Sequence, residues 1–418
     1  MEINWKKNTV LFLSGQALSI FGSMVVQYAI LWHITLKTQS GTMMTVFTVA
    51  GFLPMFLISP FGGVWADRFN RKHLINLADG AIALASLIVA VLLMAGFNHV
   101  GILLSCAVVR SFGQGVQMPA VGALIPQIVP QEQLTRVNGI QGSVQSFTIL
   151  ISPAVSAFLM SFASLESLFF LDVLTAAAGI SILFFFVKIP AVKKSGREQT
   201  NVEYFHDLKE GINYIRRHRF ILLLMLLSAA FMFFATPSML LTPLQVTRNF
   251  GNEVWRLSAI EITFSIGMMA GGFLIGAWGG FKTPVYTMFL ACALFGLESI
   301  GFGVASVFWV YLGVMVITGV TVPLYNTPVM VLLQSSVEPD FMGRVLSVIT
   351  MINSVMLPLG MLFFGPIADR FPINLLFVVT GVIMALLSIP FITSKTLRDA
   401  GKHKICIKQN LPSDADAF

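Results

Sequence analysis

The stretch Gly63-Val64-Trp65-Ala66-Asp67-Arg68-Phe69-Asn70-Arg71-Lys72 sets one acid and three bases close together between two long apolar runs. So brief a burst of charge reads as the end of one membrane helix, a tight turn and the start of the next. A charge at the bilayer centre costs at least ~2.5 kcal/mol, so charges collect at its edge. In this reading Gly63 permits close helix contact. Asp67 can hold a charge-assisted bond to a neighbouring helix end or basic residue, and Arg68, Arg71 and Lys72 anchor the inner face. A plain charged turn that obeys the positive-inside rule is the simpler account of the same residues.

The rest of the chain agrees with a membrane setting. Of its 418 residues 56% are hydrophobic and only 11% charged, against roughly 25% charged in a soluble domain. At ~20 residues per crossing of a ~30 Å hydrocarbon core, twelve spans would use ~250 residues. Apolar runs stand near 10–35, 43–66, 74–96, 100–125, 137–163, 165–188, 220–246, 257–280, 284–303, 306–334, 345–366 and 374–394. With both termini in the cytoplasm, 21 of the 26 Lys and Arg fall on the inner side, four on the outer side and Arg110 within the membrane, the skew that the positive-inside rule requires. The expected fold is therefore an all-α integral membrane protein of twelve transmembrane helices.

The net charge of +7 is explained by this topology, and no basic stripe with interleaved aromatics points to nucleic acid. Cys106, Cys292 and Cys406 are too far apart for a zinc spacing or a disulfide framework, and no metal or other cofactor is expected. The first apolar run lacks a small-residue cleavage pattern and reads as a retained span.

The longest polar stretch divides the chain into six spans and six. The expected domains are an N-terminal bundle over 1–190, a cytoplasmic linker over 191–219, a C-terminal bundle over 220–394 and a cytoplasmic tail over 395–418. Within the linker, Thr200 and Glu203 have the form of a capping box. Tyr204, Leu208, Ile212 and Ile215 recur at helical spacing beside Lys209, Arg216 and Arg217, which predicts an amphipathic helix on the inner membrane surface or a solvated linker helix. Gly63-Val64-Trp65 is echoed by Gly276-Ala277-Trp278 at the equivalent place of the second half, as an internal repeat would have it.

Polar residues are scarce enough that their positions carry information. Arg110 lies near the middle of the fourth run and needs compensation. Arg110, Gln114 and Gln117 share one helix face, which either lines a watery cavity or carries a salt bridge to a buried carboxylate. Gln16, Ser19, Ser23 and Gln27 form a similar stripe, as do Gln141, Gln145, Thr148 and Ser152, and Thr318, Thr321 and Tyr325. Such stripes either glue helices together or line a hydrated pathway. The buried acids Asp79, Asp172, Glu261 and Glu298 are candidates for proton coupling, since an acid reached by water from alternating sides can bind and release a proton. Each also has a structural reading as a hydrogen bond or ion pair.

The turn at 63–72 resembles the G-x-x-x-D-R-x-x-R-K signature between spans 2 and 3 of the major facilitator superfamily, and Arg110-Ser111-Phe112-Gly113-Gln114-Gly115 resembles its span-4 motif. Gly15-Gln16-Ala17, Gly51-Phe52-Leu53-Pro54, Pro130-Gln131-Glu132-Gln133-Leu134-Thr135, Ser152-Pro153-Ala154-Val155, Glu261-Ile262 with Gly267-Met268, and Gly343-Arg344-Val345 look like the macrolide efflux branch of that superfamily. The resemblance implies two six-helix bundles, and a cytoplasmic latch formed by Gly63, Asp67, Arg68, Arg71 and Lys72. It also implies proton-driven export of macrolide-type drugs through alternating access in a bacterial cell (inner) membrane. Arg110 joins the acids as a coupling candidate. Helices that line the superfamily's pocket here carry Gln27, Tyr28, Trp32, Phe231, Phe234 and Tyr325. With Gln114 and Gln117 these make an aromatic and amide wall suited to large amphipathic ligands. The glycine-rich antiporter motif of span 5 is reduced to Gly142 and Ser152-Pro153, which weakens an antiport argument resting on it.

The implied partners are a hydrophobic small molecule, protons and membrane lipids, with the chain acting as a monomer. A siderophore exporter or a lysophospholipid flippase could be built on the same fold. An intramembrane enzyme is disfavoured because no H-E-x-x-H, G-x-S-x-G or phosphate-binding glycine loop occurs.

Overall fold

The structure is a computed structural model and describes residues 4–188 and 204–397. The linker's Thr200 and Glu203 and the tail from 398 onward, with Cys406, lie outside the described residues. Among those described, twelve helical segments are long and apolar enough to cross a membrane, and the chain is a multi-pass membrane protein. The helices are α1 (Trp5–Thr38), α2 (Gly41–Arg68), α3 (Arg71–Met94), α4 (Val100–Ile128), α5 (Leu134–Phe162), α6 (Leu165–Ser181), α7 (Tyr204–Arg217), α8 (Arg219–Leu240), α9 (Thr242–Phe250), α10 (Val254–Trp278), α11 (Pro284–Val304), α12 (Phe308–Ser336), α13 (Pro339–Arg370) and α14 (Ile373–Thr393). Their starts follow local chemistry. Asn4, Ser40 and Asn70 are N-caps whose side chains accept from the first turn. Proline opens α11 and α13, where its missing N–H costs nothing.

Two spans depart from a simple helix. The sixth ends in a π-helical turn over Ile182–Phe186. The seventh, expected as one run over 220–246, breaks at Leu241 into α8 and α9.

Internal contacts divide the chain into unit 1, residues 1–198 with 246–262, and unit 2, residues 199–245 with 263–418. In unit 1, α1 packs on α5 and α6, α2 on α4, and α3 on α4 and α6. Two apolar clusters form there: one contains Phe12, Ile75, Leu124 and Leu183, the other Val25, Val89, Cys106 and Phe169. Along α1, α3 and α4 the buried polar residues Gln16, Ser19, Asp79, Ser86, Arg110 and Gln117 fall between those clusters, so unit 1 has a polar layer within its core.

In unit 2, α8 packs on α13 and α14, and α11 on α12 and α14. One large cluster, including Leu224, Phe231, Met288, Phe295, Tyr325 and Met384, runs through it. Cys292 is buried in that cluster.

The linker helix α7 packs on unit 2. Its Tyr214 and Ile215 are buried in the core of unit 2, Tyr214 stacks on Phe341 at 4.5 Å, and Arg344 pairs with Glu210 at 3.0 Å. Gly211 lets α7 approach so closely that a Cβ there would stand 3.1 Å from the Arg344 carbonyl oxygen. Helix α7 is thus docked on α13 by its apolar face.

Candidate functional site

Three clusters hold many of the polar side chains that the sequence singled out. The first is the turn between α2 and α3. Arg71 donates through Nε to the Ala66 carbonyl at 2.8 Å and through Nη1 to the Ala123 carbonyl at 2.8 Å. It also pairs with Asp67 at 3.3 Å. Lys72 donates to the Val187 carbonyl at 2.8 Å. Two bases at the head of α3 therefore bind carbonyls near the last turns of α2 and α4 and just past the sixth span, where the helix dipole favours positive charge. Asp67 and Arg68 are exposed, and an ion pair as exposed as Asp67–Arg71 is worth only ~0–1 kcal/mol. Gly63 is not the contact glycine: a Cβ there meets nothing within 4 Å, whereas at Gly62 it would stand 2.5 Å from the Gly115 carbonyl oxygen. Close packing of α2 on α4 rests on Gly62 and Gly115.

The second cluster is buried in unit 1. Arg110 of α4 forms an ion pair with Asp172 of α6, both essentially inaccessible. Ser86 Oγ of α3 donates to Asp172 at 2.6 Å and accepts from Arg110 Nη1 at 2.8 Å. Ser23 Oγ of α1 donates to Asp172 at 3.1 Å, and its carbonyl accepts from Arg110 Nη2 at 2.9 Å. Four helices are tied by one pair of charges. Of the two readings open for Arg110, the salt bridge is what the structure forms. Asp172, offered as a coupling acid, is the arginine's partner. Ser86 was missed, although it lies seven residues after Asp79 and shares its face of α3.

The third cluster is also in unit 1. Gln117 Nε2 donates to Asp79 Oδ1 at 2.6 Å and stands 3.5 Å from Gln16 Oε1. Gln16 and Gln117 border a cleft between α1, α4 and α5 that Gln141, Gln145 and Thr148 also line. Side chains from three predicted stripes thus meet at one cleft. Gln114 is half-buried and does not line it.

The expected aromatic wall separates into different environments. Trp32 is fully buried, beside Tyr28 at 5.6 Å, and its indole N–H has no hydrogen-bond partner among the described residues. Gln27 and Tyr28 are half-buried. In unit 2 Phe231 stacks on Tyr325 at 3.9 Å and meets Phe295 edge-on at 5.2 Å, while Tyr325 donates to Ser228 at 3.1 Å. Trp32, Phe231 and Tyr325 are buried here. Phe234 is half-buried, 5.2 Å from Phe233 and 6.1 Å from Phe364.

The two remaining acids lie on α10 and α11. Glu261 is half-buried. Glu298 is buried; one carboxylate oxygen accepts from Thr321 at 3.3 Å and the other has no hydrogen-bond partner among the described residues. Sequence reading also missed the buried junction in which Gln245 donates to the Phe302 carbonyl at 2.8 Å and to Asn374 at 3.0 Å and accepts from Tyr311 at 3.0 Å. A glutamine at the end of an apolar run was the available signal.

Comparison with known proteins agrees with this architecture. A family model described as Major Facilitator Superfamily matches residues 12–361. Macrolide efflux protein A of Streptococcus pyogenes is 31% identical over 389 residues, covering 92% of this chain and 95% of that protein. Macrolide efflux protein A of Enterococcus faecalis is 30% identical over 327 residues, covering 77% of this chain and 100% of that protein. Among solved structures, the nucleoside transporter NupG superposes with a TM-score of 0.65 at 14% identity, covering 93% of this chain and 98% of that one.

Proposed function

The chain belongs to the Major Facilitator Superfamily, and from that premise we propose that it exports hydrophobic or amphipathic compounds of the macrolide type by proton-coupled alternating access. The observation that carries the reading is the 31% identity to Macrolide efflux protein A over nearly the full length of both chains. In this reading the chain is a monomeric transporter in a bacterial cell membrane, in contact with its lipids and with both termini in the cytoplasm. It comprises bundles over 1–190 and 220–394, a linker between them and a tail over 395–418. The turn Gly63–Lys72 is the cytoplasmic latch: Arg71 and Lys72 hold helix-end carbonyls in the described arrangement and release them in the other.

The acids divide by their partners. Asp172 is neutralised by Arg110 and works as a structural anchor. Asp79, Glu261 and Glu298 form no ion pair among the described residues and are the carboxyls free to carry a proton. Adaptable apolar walls with a few convergent amides suit a bulky, largely apolar ligand.

The test is accumulation of a labelled macrolide in cells with and without the protein, repeated after collapse of the proton gradient. Lower accumulation that disappears on collapse is the expected result. Unchanged accumulation removes the export reading, and export that survives collapse removes the proton.

A further inference from the structure

The sixth span does not end as a plain α-helix. Its π-helical turn over Ile182–Phe186 keeps Leu183 buried, with Val187 just after it, and leaves Phe184, Phe185 and Phe186 exposed at 48%, 71% and 60%. Turns of this kind are rare and often sit at functional sites. This one is held from two sides. Lys72 of α3 donates to the Val187 carbonyl at 2.8 Å and lies 5.7 Å over the Phe184 ring. Asn8 of α1 donates to the Lys188 carbonyl at 2.6 Å and accepts from the Lys188 N–H at 3.4 Å.

The two Asn8–Lys188 hydrogen bonds join helix ends that both carry positive charge. Lys188 follows the turn, Lys6 and Lys7 open α1, and all three are exposed. The first turn of α1 holds no acid, and none of these lysines forms an ion pair among the described residues. Asp67, the acid at the end of α2, is paired with Arg71. Lys6 lies 5.8 Å over the Trp5 ring, an aromatic of the kind that gathers at membrane interfaces. Ammonium groups thus stand at a membrane edge, and three outward phenylalanines precede Lys188 within the span. A free anion would meet only the lysines. A neutral lipid would meet only the phenylalanines.

We propose that the corner between the start of α1 and the end of the sixth span is a binding site for one anionic phospholipid, with Lys7 and Lys188 holding its phosphate and Phe184, Phe185 and Phe186 facing its acyl chains. Bases at a membrane edge attract anionic headgroups in general. What makes this corner a site is that the Asn8–Lys188 bonds and Lys72 fix the two charged helix ends and the aromatic turn together. The inference does not depend on what the protein carries.

The test titrates the full chain in detergent with palmitoyl-oleoyl phosphatidylglycerol or phosphatidylcholine and reads bound lipid by native mass spectrometry. The wild type should bind its first phosphatidylglycerol at least about tenfold tighter than its first phosphatidylcholine, a difference of ~1.4 kcal/mol. Lys7→Gln/Lys188→Gln should bring the two lipids within about threefold of each other. If that variant does not fold, Lys188→Gln alone should lower the preference at least about threefold. Arg216→Gln/Arg217→Gln removes the same charge from the exposed end of α7 and should keep the wild-type preference. Glycerophosphoglycerol, the head without chains, should not displace the bound lipid. Equal binding of both lipids by the wild type, a preference that survives loss of the lysines, or an equal loss in the α7 variant overturns the site. Displacement by the chain-free head at the lipid's own concentration also overturns it, because the phenylalanines then play no part.

Discussion

Units 1 and 2 pair their helices on one plan, yet they fill equivalent positions with opposite chemistry. Arg110 and Thr318 each lie ten residues beyond the first residue of their helix. Asp172 and Thr380 each lie seven beyond, and Ser86 and Ser299 fifteen beyond. In unit 1 these positions hold the ion pair with its bridging serine. In unit 2 they hold hydroxyls: Ser299 accepts from Ser238 at 3.0 Å and donates to the Phe377 carbonyl at 2.9 Å, Thr318 donates to Val314 at 3.1 Å and Thr380 to Leu376 at 2.9 Å. A hydroxyl inside a helix finds an acceptor one turn back on its own backbone, so most of unit 2's set places no demand on its neighbours. A guanidinium and a carboxylate cannot be satisfied locally, so unit 1 must hold four helices in register around them. Unit 2 depends instead on a continuous apolar core.

The largest effect that this contrast predicts is at Arg110. Arg110→Leu leaves Asp172 buried without its cation and should cost about 3–5 kcal/mol, read as a lower thermal unfolding midpoint of the purified protein in detergent. The double variant Arg110→Leu/Asp172→Leu should recover most of that loss, because a well-packed apolar pair is often no worse than a buried ion pair. A double variant as unstable as the single would break the comparison.

Next come the glycines. Gly62→Val drives a side chain into the Gly115 backbone and should cost about 1–3 kcal/mol, while Gly63→Ala one residue away should stay within about 0.5 kcal/mol in the same melt. Smaller still, Tyr325→Phe removes one neutral hydrogen bond to Ser228 and should cost about 0.5–1.5 kcal/mol.

Asp67→Asn should also change stability little, since its exposed pair with Arg71 is worth at most ~1 kcal/mol. Its expected signature is a lowered rate of macrolide export at unchanged membrane abundance, measured in cells. Export at the wild-type rate would remove Asp67 from the latch.

The twelve spans were legible in the chain because burial in lipid is a local demand: each crossing must be apolar along its own length and closed by charges at its edge. The charged turn at 63–72 and the polar stripes were legible for the same reason, since a polar residue in an apolar run is conspicuous wherever it points. The contact glycine was placed one residue off, at Gly63 and not Gly62, because neighbouring positions differ by about 100° around a helix of 3.6 residues per turn. Nothing in the local pattern chooses between them. Phe231 and Tyr325 were expected at a cavity wall and are stacked in a core, since an aromatic ring meets protein, lipid and ligand with similar chemistry.

Composition and spacing alone fixed the number of crossings, their approximate ends and which residues needed partners, because the cost of polarity in hydrocarbon is paid residue by residue. Which partners they found was decided only by tertiary packing. Arg110 and Asp172 are 62 residues apart, and lipid tails are as apolar as the protein core, so hydrophobic periodicity does not mark the face a membrane helix turns inward. Helix rotation is set by glycine contacts, by ion pairs and by the shapes of neighbouring helices, all of which exist only once the chain has folded.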